Sequence, residues 1–349
     1  MATNKDSDLD PSPLITLING FRYSKIIFAA VEFKLFDHLV DQPLSLEQLL
    51  TKLNLSHVSS LDRFLNACIS LKLIERHDDK YSNTPLANRY LASTSADTLN
   101  GFVNYCNDTA YPLWTHLADA IREDDSQWKK KCKSILDTKF DFQAFYSDNN
   151  IEKDFIGAMH GLGAISFPAI VASVNDWNQF NILCDVGGGS GNLAGIACEM
   201  NQKLEAIIFD LPQIEKHVLQ YVEKLPASVG SRIRFHGGDF FLDNLPQADI
   251  YTLGRILHDW TEEQCNQLLN KIYHALPERN GAVLIAECLL DDDKTGPPSA
   301  VIHDIGMLVF MKGRERTSKE YCDMLQRVGF KTMKCQRTGK YLDAIIGYK

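Results

Sequence analysis

The 349-residue sequence contains no apolar run of about eighteen residues, so we expect no membrane-spanning segment. Basic residues are not in excess, since 36 Lys and Arg stand against 45 Asp and Glu, for a net charge of -9. That balance argues against a nucleic-acid partner, because such binding depends on neutralising phosphates. The N-terminus, MATNKDSDLDPSP, lacks the basic and then apolar order of a signal peptide. We therefore expect a soluble cytoplasmic protein without a membrane or nucleic-acid partner.

Disulfide and repeat signals are also missing. The nine cysteines are odd in number and contain no C-x-x-C pair, which favours buried thiols in a reducing compartment. The chain has no internal repeat and no low-complexity tract. Its 45% of apolar residues are enough to bury a large core, and its length predicts two domains.

The most informative stretch is NILCDVGGGSGN at residues 181–192, where an apolar run ends in an acid and four glycines follow within five residues. Glycine permits positive φ and lets the backbone approach a ligand closely. A strand, a glycine turn and a helix at 193–200 would present free backbone N–H groups to a nucleotide-like ligand. A tight strand-to-helix connection would need only one or two glycines, so the pattern favours a cofactor site.

The N-terminal region combines helical patterns with a hairpin. Residues 14–40 carry a broad apolar stripe at mostly helical spacing, which suits burial either in a core or against another subunit. A helix at 45–53, a second helix at 58–71 and a hairpin with 77–80 at its tip then follow. This order predicts a winged helix-turn-helix.

A DNA-reading function can be tested on the second of these helices. A recognition helix needs basic and amide side chains for phosphates and base edges. The second helix offers only Arg63, which is offset by Asp62, and Asn66. We therefore predict the winged-helix fold without the DNA function.

The middle of the chain has helical patterns at 97–130 and at 151–174. In the second of these, Met159, His160 and Phe167 are core residues by default, with a ligand wall as the alternative. Apolar strands then alternate with helical segments, which predicts a parallel doubly wound sheet. The predicted strands lie at 181–186, 206–209, 232–236, 249–253 and 282–288.

Two further strands are predicted near the C-terminus, at 331–336 and 342–347. The few residues between them cannot form a parallel crossover, so we expect this last pair to be antiparallel.

Two cofactor classes compete for the glycine turn. Residues 189–194, GSGNLA, satisfy G-x-G-x-x-A, and Asp210 ends the second strand where an acid binds ribose hydroxyls, so NAD is a real candidate. Asp185 is placed to hold an amino group or the glycine turn, and Asp239 with a stacking Phe240 suits an adenine. Together with the antiparallel strand pair, these acids favour S-adenosylmethionine.

Several motifs carry a family resemblance over nearly the whole chain. They are FYSD at 145–148, DVGGGSGNLA at 185–194, FDLPQ at 209–213, GDFF at 238–241, GRILHDWTEEQC at 254–265, GRERT at 313–317 and TGKYLDAI at 338–345. Through them the sequence resembles the small-molecule O-methyltransferases that have an N-terminal dimerisation domain, and within that family the branch that methylates acetylserotonin.

The resemblance implies an α/β protein that forms a homodimer. Residues 1–95 would form the winged-helix dimerisation region, and 96–177 a helical linker with substrate-pocket helices. Residues 178–349 would form a Rossmann-like catalytic domain that binds S-adenosyl-L-methionine and ends in the antiparallel strand pair.

The resemblance also implies roles for particular residues. His258 would be the catalytic base, with Asp259 beside it in the substrate site and Glu287 and Glu315 flanking it. Met159 is a candidate for the substrate pocket. The cofactor contacts would be Tyr146, Asp185, Gly187, Gly189, Asp210, Asp239, Phe240 and Arg255.

The proposed chemistry explains why a histidine is needed. A phenol titrates near pH ~10, so a neutral imidazole with an ordinary pKa of ~6.5 must take its proton as the methyl group arrives. A carboxylate on the far ring nitrogen would fix the tautomer, and Glu287 is the first candidate on position, ahead of Glu315. No metal is required, and the acids at 291–293 are expected to form a solvated loop.

The expected substrate wall departs from the acetylserotonin branch. Gly306 and Phe310 stand where the resemblance expects an asparagine and a glutamine that bond the substrate. A pocket without those groups discriminates less by hydrogen bonding, so a flatter or more apolar phenol is a candidate beside N-acetylserotonin. An NAD-dependent oxidoreductase and a catalytically silent methyltransferase-like binding protein are the alternative functions.

Overall fold

The computed structural model describes residues 9–128, 142 and 149–349. The chain divides into two compact units, Met1–Asn107 and Asp108–Lys349. The segment expected to be a helical linker is divided between the two units at that boundary.

The first unit is mostly helical and has a small antiparallel sheet. Its helices are α1 (Ser12–Glu32), α2 (Leu35–His38), α3 (Leu46–Lys52), α4 (Val58–Ser70), α5 (Pro85–Tyr90) and α6 (Asn100–Tyr105). Its strands, in the order β1-β3-β2, are β1 (Leu44–Ser45), β2 (Ile74–His77) and β3 (Lys80–Asn83). A capping box between Ser45 and Gln48 starts α3. The pair α3–α4 followed by the hairpin confirms the winged-helix prediction.

Helix α1 exposes an apolar face. Only Ala30 and Val31, in its last turn, are buried. Apolar side chains in its first half are between 49% and 77% exposed: Leu14, Ile15, Leu17, Ile18 and Phe21. A contiguous apolar surface of this kind is typical of an interaction site.

The second unit begins with helices that the sequence predicted only in part. They are α7 (Tyr111–Trp114), α8 (Leu117–Glu123) and α9 (Asn149–Ala172). The helical stretch expected at 97–130 is interrupted, and a π-helical turn at Cys106–Ala110 precedes α7. Pro112 explains the new helix start, because proline has no N–H to donate and is tolerated in a first turn.

The rest of the second unit alternates strands and helices. The strands are β4 (Ile182–Val186), β5 (Glu205–Asp210), β6 (Ile233–Gly237), β7 (Ile250–Gly254), β8 (Ala282–Glu287), β9 (Leu289–Leu290), β10 (Arg316–Thr317), β11 (Thr332–Gln336) and β12 (Asp343–Tyr348). The helices are α10 (Asn192–Met200), α11 (Glu215–Val222), α12 (Ala227–Gly230), α13 (Glu262–Ala275), α14 (Pro298–Phe310) and α15 (Ser318–Val328). Short 3₁₀ turns lie at Trp177–Gln179, Pro212–Ile214 and Leu257–Asp259.

Seven of these strands form one sheet in the order β11-β12-β8-β7-β4-β5-β6. The five strands from β8 to β6 are parallel, and β12 runs antiparallel to both β8 and β11. The predicted antiparallel pair is confirmed, although the insertion of β12 between β8 and β11 could not be read from spacing. Because the chain leaves β4 toward β5 and later returns to its other side with β7, the carboxyl end of β4 is a topological switch point, where open α/β sheets bind ligands.

Two helices are long and apolar enough to cross a membrane by length and composition, Ser12–Glu32 and Glu152–Ala172. Length and composition alone do not make either helix a membrane span, so the expectation of no membrane-spanning segment stays a prediction. Half of the apolar window in the second helix is buried inside the protein, as in the core helix of a folded domain.

Candidate active site

The glycine turn after β4 has the backbone conformation that its sequence predicts. Gly187, Gly189 and Gly191 all have positive φ, between 54° and 73°. A Cβ on Gly187 would collide with Ile256, and one on Gly191 would collide with Ile208. A Cβ on Gly189 would meet no described atom within 4 Å. The turn is therefore packed on its inner side and open at Gly189, where a backbone can approach a ligand.

Two buried acids lie beside this turn, and one of them bonds it. Asp210 Oδ2 accepts a hydrogen bond from the Gly189 N–H at 2.8 Å, and Asp185 Oδ1 accepts one from the Thr252 hydroxyl at 2.6 Å. Burial raises the pKa of Asp185 to about 7 and that of Asp210 to about 6. Asp185 Oδ2 has no hydrogen-bond partner among the described residues. Buried carboxylates with spare acceptor capacity suit amino and hydroxyl donors of a ligand.

The third strand-end acid lies in the GDFF motif after β6. Asp239 Oδ1 accepts from the Phe241 N–H at 2.8 Å. The Phe240 ring lies edge-to-face with Trp260 at 5.8 Å between centroids. It would also contact a Cβ on Gly187 at 3.7 Å. Phe240 therefore faces the glycine turn, as a ring that stacks on a base would have to.

Arg255 follows β7 and has strained geometry. Its φ of 60° is unusual for a residue with a Cβ, and such strain collects at functional sites. Its guanidinium lies over the Tyr341 ring, 5.5 Å from the centroid, and its Nη2 is 3.3 Å from Nε2 of His303. The Nε and Nη1 groups have no hydrogen-bond partner among the described residues. Unpaired donors on a buried cation indicate a ligand acceptor at this place.

His258 lies in the buried 3₁₀ turn Leu257–Asp259, which is held through its backbone. Glu287 Oε1 accepts hydrogen bonds from three consecutive N–H groups, those of Ile256, Leu257 and His258, at 3.0, 2.8 and 3.3 Å. Arg316 donates to the carbonyls of Leu257 at 2.9 Å and of Trp260 at 3.1 Å. Glu287 thus accepts hydrogen bonds from the N–H groups of this turn, and Arg316 donates hydrogen bonds to its carbonyl groups.

Two residues of the GRERT motif were not predicted as functional. Arg316, whose guanidinium donates to the carbonyls of the histidine turn, is 1% exposed. Gly313 packs so closely against the backbone of His258 and Asp259 that any Cβ would collide with them. The motif was part of the family resemblance, which implied a role only for Glu315 within it.

The His258 ring is surrounded by three carboxylates. Its Nδ1 is 2.7 Å from Glu315 Oε1 and 3.4 Å from Glu287 Oε2, and its Nε2 is 3.3 Å from Asp259 Oδ1. The expectation that Glu287 would be the first partner of the ring is therefore wrong. Glu287 ends β8, so its carboxylate reaches the backbone of the turn, whereas β10 brings Glu315 up to the ring nitrogen.

These carboxylates change the protonation of the ring. Burial alone lowers the pKa of His258, but the negative charges of Glu287, Asp259 and Glu315 outweigh it and raise the pKa to about 9. Burial raises the pKa of Glu287 to about 7. The pKa of Glu315 falls to about 2, because the charge of His258 and two histidine hydrogen bonds outweigh its burial. These shifts favour an imidazolium–carboxylate pair in the free protein, in contrast to the neutral imidazole expected from the unperturbed value.

The side chains of His258, His303 and Glu315 also lie close enough to hold a metal ion, with ligand atoms within 4.8 Å of one another. The Nδ1 atoms of both histidines are, however, directed at the same oxygen of Glu315. Arg255 adds a fixed positive charge next to His303. This arrangement is a hydrogen-bonded cluster, and a divalent cation would have to displace its bonds against that charge.

The expected substrate wall is apolar where the structure describes it. A Cβ on Gly306 would touch only Trp114, at 3.4 Å, and the Phe310 ring lies 6.4 Å from that of Trp128. Met159 is half-buried on α9. Tyr146, the remaining expected cofactor contact, lies outside the described residues.

The fold and this cluster define a class of protein before any comparison. A Rossmann-like sheet with an inserted antiparallel strand, acids at three strand ends and a buried histidine–glutamate pair is the arrangement of a methyltransferase. Family models agree: residues 114–331 match the O-methyltransferase domain, and residues 15–93 match the O-methyltransferase dimerisation domain. The chain belongs to the O-methyltransferase family.

The chain is also similar to individual members of this family. The chain is 36% identical to the acetylserotonin O-methyltransferase of Bos taurus, over 95% of each chain. It is 35% identical to that of Gallus gallus, over 98% of this chain and 99% of the relative. Its fold matches the crystal structure of human N-acetylserotonin methyltransferase in complex with SAM, with a TM-score of 0.90, 32% identity and coverage of 98% and 99%.

Proposed function

We propose that the protein transfers a methyl group from S-adenosylmethionine to the hydroxyl of a small aromatic acceptor, with His258 as general base. One observation carries the proposal. A buried histidine lies at the carboxyl edge of the sheet, after β7, with its Nδ1 bonded to an ionised carboxylate. A histidine that is fixed in this way can take a proton at its other ring nitrogen.

The residues around the glycine turn fit the cofactor. The open backbone at Gly189 and the acids Asp185, Asp210 and Asp239 would receive its amino-acid, ribose and adenine parts, and Phe240 would pack on the base. The unpaired donors of Arg255 would meet an oxygen of a ligand at the same edge. When bound, S-adenosylmethionine supplies an electrophilic methyl group on a positively charged sulfur. The human relative was solved with SAM, which supports the same cofactor here.

The chain's own contribution to the reaction is proton removal and placement. Once the His258 ring is neutral, with its remaining proton on Nδ1, its Nε2 accepts the proton of the acceptor hydroxyl, while Glu315 holds the Nδ1–H and stabilises the resulting imidazolium. Asp259 Oδ1, 3.3 Å from Nε2, lies where it can accept a hydrogen bond from the Nε2–H that forms when the proton has moved. The hydrogen bonds of Glu287 and Arg316 to the backbone of the turn keep the His258 ring in place without help from a ligand.

The acceptor is proposed to be a flat, apolar phenol or hydroxyindole. Gly306 and Phe310 carry no hydrogen-bonding side-chain group, and the rings of Phe310 and Trp128 supply apolar surface at this wall. Trp260, next to the histidine turn, adds another ring. The relatives are acetylserotonin O-methyltransferases, so N-acetylserotonin belongs among the candidates. The missing amide groups favour acceptors that need no polar anchoring.

We also propose that the protein is a homodimer that uses the exposed face of α1. The dimerisation-domain match begins at residue 15, inside this helix. Leu17 and Ile18 are 77% and 71% exposed and would be covered in the dimer. Light scattering at micromolar concentration should give twice the chain mass, and the double substitution Leu17→Glu, Ile18→Glu should give the monomer. A monomeric wild type would refute this proposal.

The function is tested by methyl incorporation from labelled S-adenosylmethionine into a panel of phenols and hydroxyindoles that includes N-acetylserotonin. Turnover of at least one member, abolished in His258→Ala, is the expected result. Calorimetry supplies the second arm, in which S-adenosylhomocysteine should bind at micromolar concentration and NAD should not. Binding of NAD alone would replace the proposal by an oxidoreductase. Cofactor binding without turnover of any acceptor would favour a catalytically silent binding protein.

A further inference from the structure

His303 bonds directly to Glu315, the partner of the proposed catalytic base. It lies in α14 and places its Nδ1 2.6 Å from Glu315 Oε1, the same oxygen that Nδ1 of His258 approaches at 2.7 Å. The two imidazole rings lie nearly parallel, with 19° between their planes and 5.3 Å between their centroids. Glu315 Oε2 has no hydrogen-bond partner among the described residues. A single carboxylate oxygen therefore receives both histidines.

The tautomer of His303 follows from its other nitrogen. Nε2 is 3.3 Å from Nη2 of Arg255. A guanidinium has only donors, so Nε2 must be the acceptor of this bond and the ring proton must be on Nδ1. His303 is thus a neutral donor to Glu315. Burial and the neighbouring charge of Arg255 keep its pKa below the ordinary value, which agrees with the neutral form.

We propose that His303 is a positioning residue for the base, whose Nδ1–H holds Glu315 against His258 and limits how tightly that carboxylate retains the proton of His258. This inference rests on the proposed function. The physical reason is that a hydrogen bond to Oε1 stabilises negative charge there and makes the oxygen a weaker acceptor for its second partner. Without this bond, Glu315 would hold the His258 proton more strongly, and less of the base would be neutral at pH 7.

The charged and titratable groups that face His303 come from several elements. Arg255 follows β7, His258 and Asp259 lie in the 3₁₀ turn, Glu315 precedes β10, and the Tyr341 ring lies 6.0 Å away, edge-on. Of these, Arg255 and Glu315 touch its two nitrogens directly. The two contacts use opposite ring nitrogens, so a substitution that keeps an acceptor for Arg255 can remove the donor to Glu315 alone.

Helix α14 contributes a second contact to the same segment. The backbone N–H of Glu315 donates to Asp304 Oδ1 at 2.8 Å, one residue beyond His303. Gly306 and Phe310, the wall residues, lie later on the same helix. His303 therefore links the wall that would contact the acceptor to the carboxylate that orients the base.

The test compares three substitutions of one residue. His303→Asn places an amide donor close to the position of Nδ1 and should keep the bond to Glu315. His303→Gln carries its amide one bond further out, and His303→Phe keeps a flat ring without a donor. The last two should move the acid limb of the pH–rate profile to higher pH and lower kcat at pH 7 by about threefold to tenfold, with the KM for the acceptor nearly unchanged. His303→Asn should keep the pH–rate profile of the wild type.

A readout that needs no turnover separates this inference from the proposed function. The ring protons of His258 can be titrated by NMR in the free, histidine-labelled protein, with His258→Gln as the assignment control. His303→Phe should raise the pKa of His258, and His303→Asn should not. If the variants titrate differently but no acceptor is methylated by the wild type, the positioning role stands and the function fails. If methylation proceeds while the titration and the profile are the same in all three variants, His303 has no such role.

Discussion

Removing the carboxylate of Glu287 should unfold the turn that carries His258. In Glu287→Ala, the N–H groups of Ile256, Leu257 and His258 lose their common acceptor. Each buried donor left without a partner costs about 1–3 kcal/mol, so the variant should lose about 2–6 kcal/mol if water reaches one of the three and two stay unpaired. A typical domain has only about 5–15 kcal/mol of stability, so this loss is large enough to measure and the variant can still fold.

The matched variant Glu287→Gln keeps an acceptor oxygen and removes the charge. Burial has raised the pKa of Glu287, and a carboxyl group with a raised pKa makes the folded state less stable as pH rises through that value. Glu287→Gln should therefore be at least as stable as the wild type at pH 8. For the same reason, the loss in Glu287→Ala should be smaller at pH 8 than at pH 5.5.

Urea unfolding followed by tryptophan fluorescence measures these changes in the second unit. The four tryptophans, at positions 114, 128, 177 and 260, all belong to that unit. Equal destabilisation by alanine and glutamine would show that the charge of Glu287, and not its acceptor oxygen, stabilises the turn. A loss below about 1 kcal/mol in Glu287→Ala would show that the three hydrogen bonds have no role in holding it.

Other expected outcomes test the base, the cofactor site and the electrostatics. His258→Ala should keep S-adenosylhomocysteine affinity in calorimetry and lose about 10²–10⁴-fold in turnover, and normal turnover would contradict the base assignment. Asp210→Ala should weaken cofactor binding at least about tenfold, whereas Asp292→Ala on the exposed loop should not; equal affinities would exclude Asp210 from the site. The pKa of His258 is raised to about 9, so its stabilising contribution is complete below pH 6.5 and is lost as pH rises through 9. Between these values the unfolding midpoint of the free wild type should fall more than that of His258→Gln, and parallel curves would refute the raised pKa. A chelator should leave turnover unchanged, since Glu315 already bonds both histidines; inhibition that a divalent metal reverses would point to a metal site.

The sequence predicted the parallel sheet and its glycine turn because those features are local. A strand that ends in an acid, followed by glycines and a helix, needs only adjacent residues to be recognised, and the observed turn lies at Gly187–Gly191 with the expected positive φ. The position of β12 between β8 and β11 depends on pairing between distant segments. The short connection between the last two strands predicted that they are antiparallel, and it left their place in the sheet open.

The candidate site was predicted in its residue types better than in its contacts. Placing His258 after β7 and carboxylates near it followed from the motifs. Which acid reaches Nδ1 depends on how far Glu287 and Glu315 extend in three dimensions, and here Glu287 bonds the backbone while Glu315 bonds the ring. The role of Arg316 was missed for the same reason, because its partners are carbonyl groups that leave no trace in the sequence.

Glu287 and Arg316 both bond the backbone of the histidine turn, and this arrangement affects how the base can work. The hydrogen bonds of Glu287 Oε1 and Arg316 go to main-chain groups of the turn and fix the position of His258, while Glu287 Oε2 stays 3.4 Å from Nδ1, farther away than Glu315 Oε1 at 2.7 Å. The ring is then free to interact with Glu315 at one nitrogen and with the acceptor hydroxyl at the other. A side chain that served both purposes would have to release the ring in order to hold the backbone. Dividing the two tasks between separate carboxylates lets the site keep its geometry while the protonation of the ring changes, which a general base must do in every turnover.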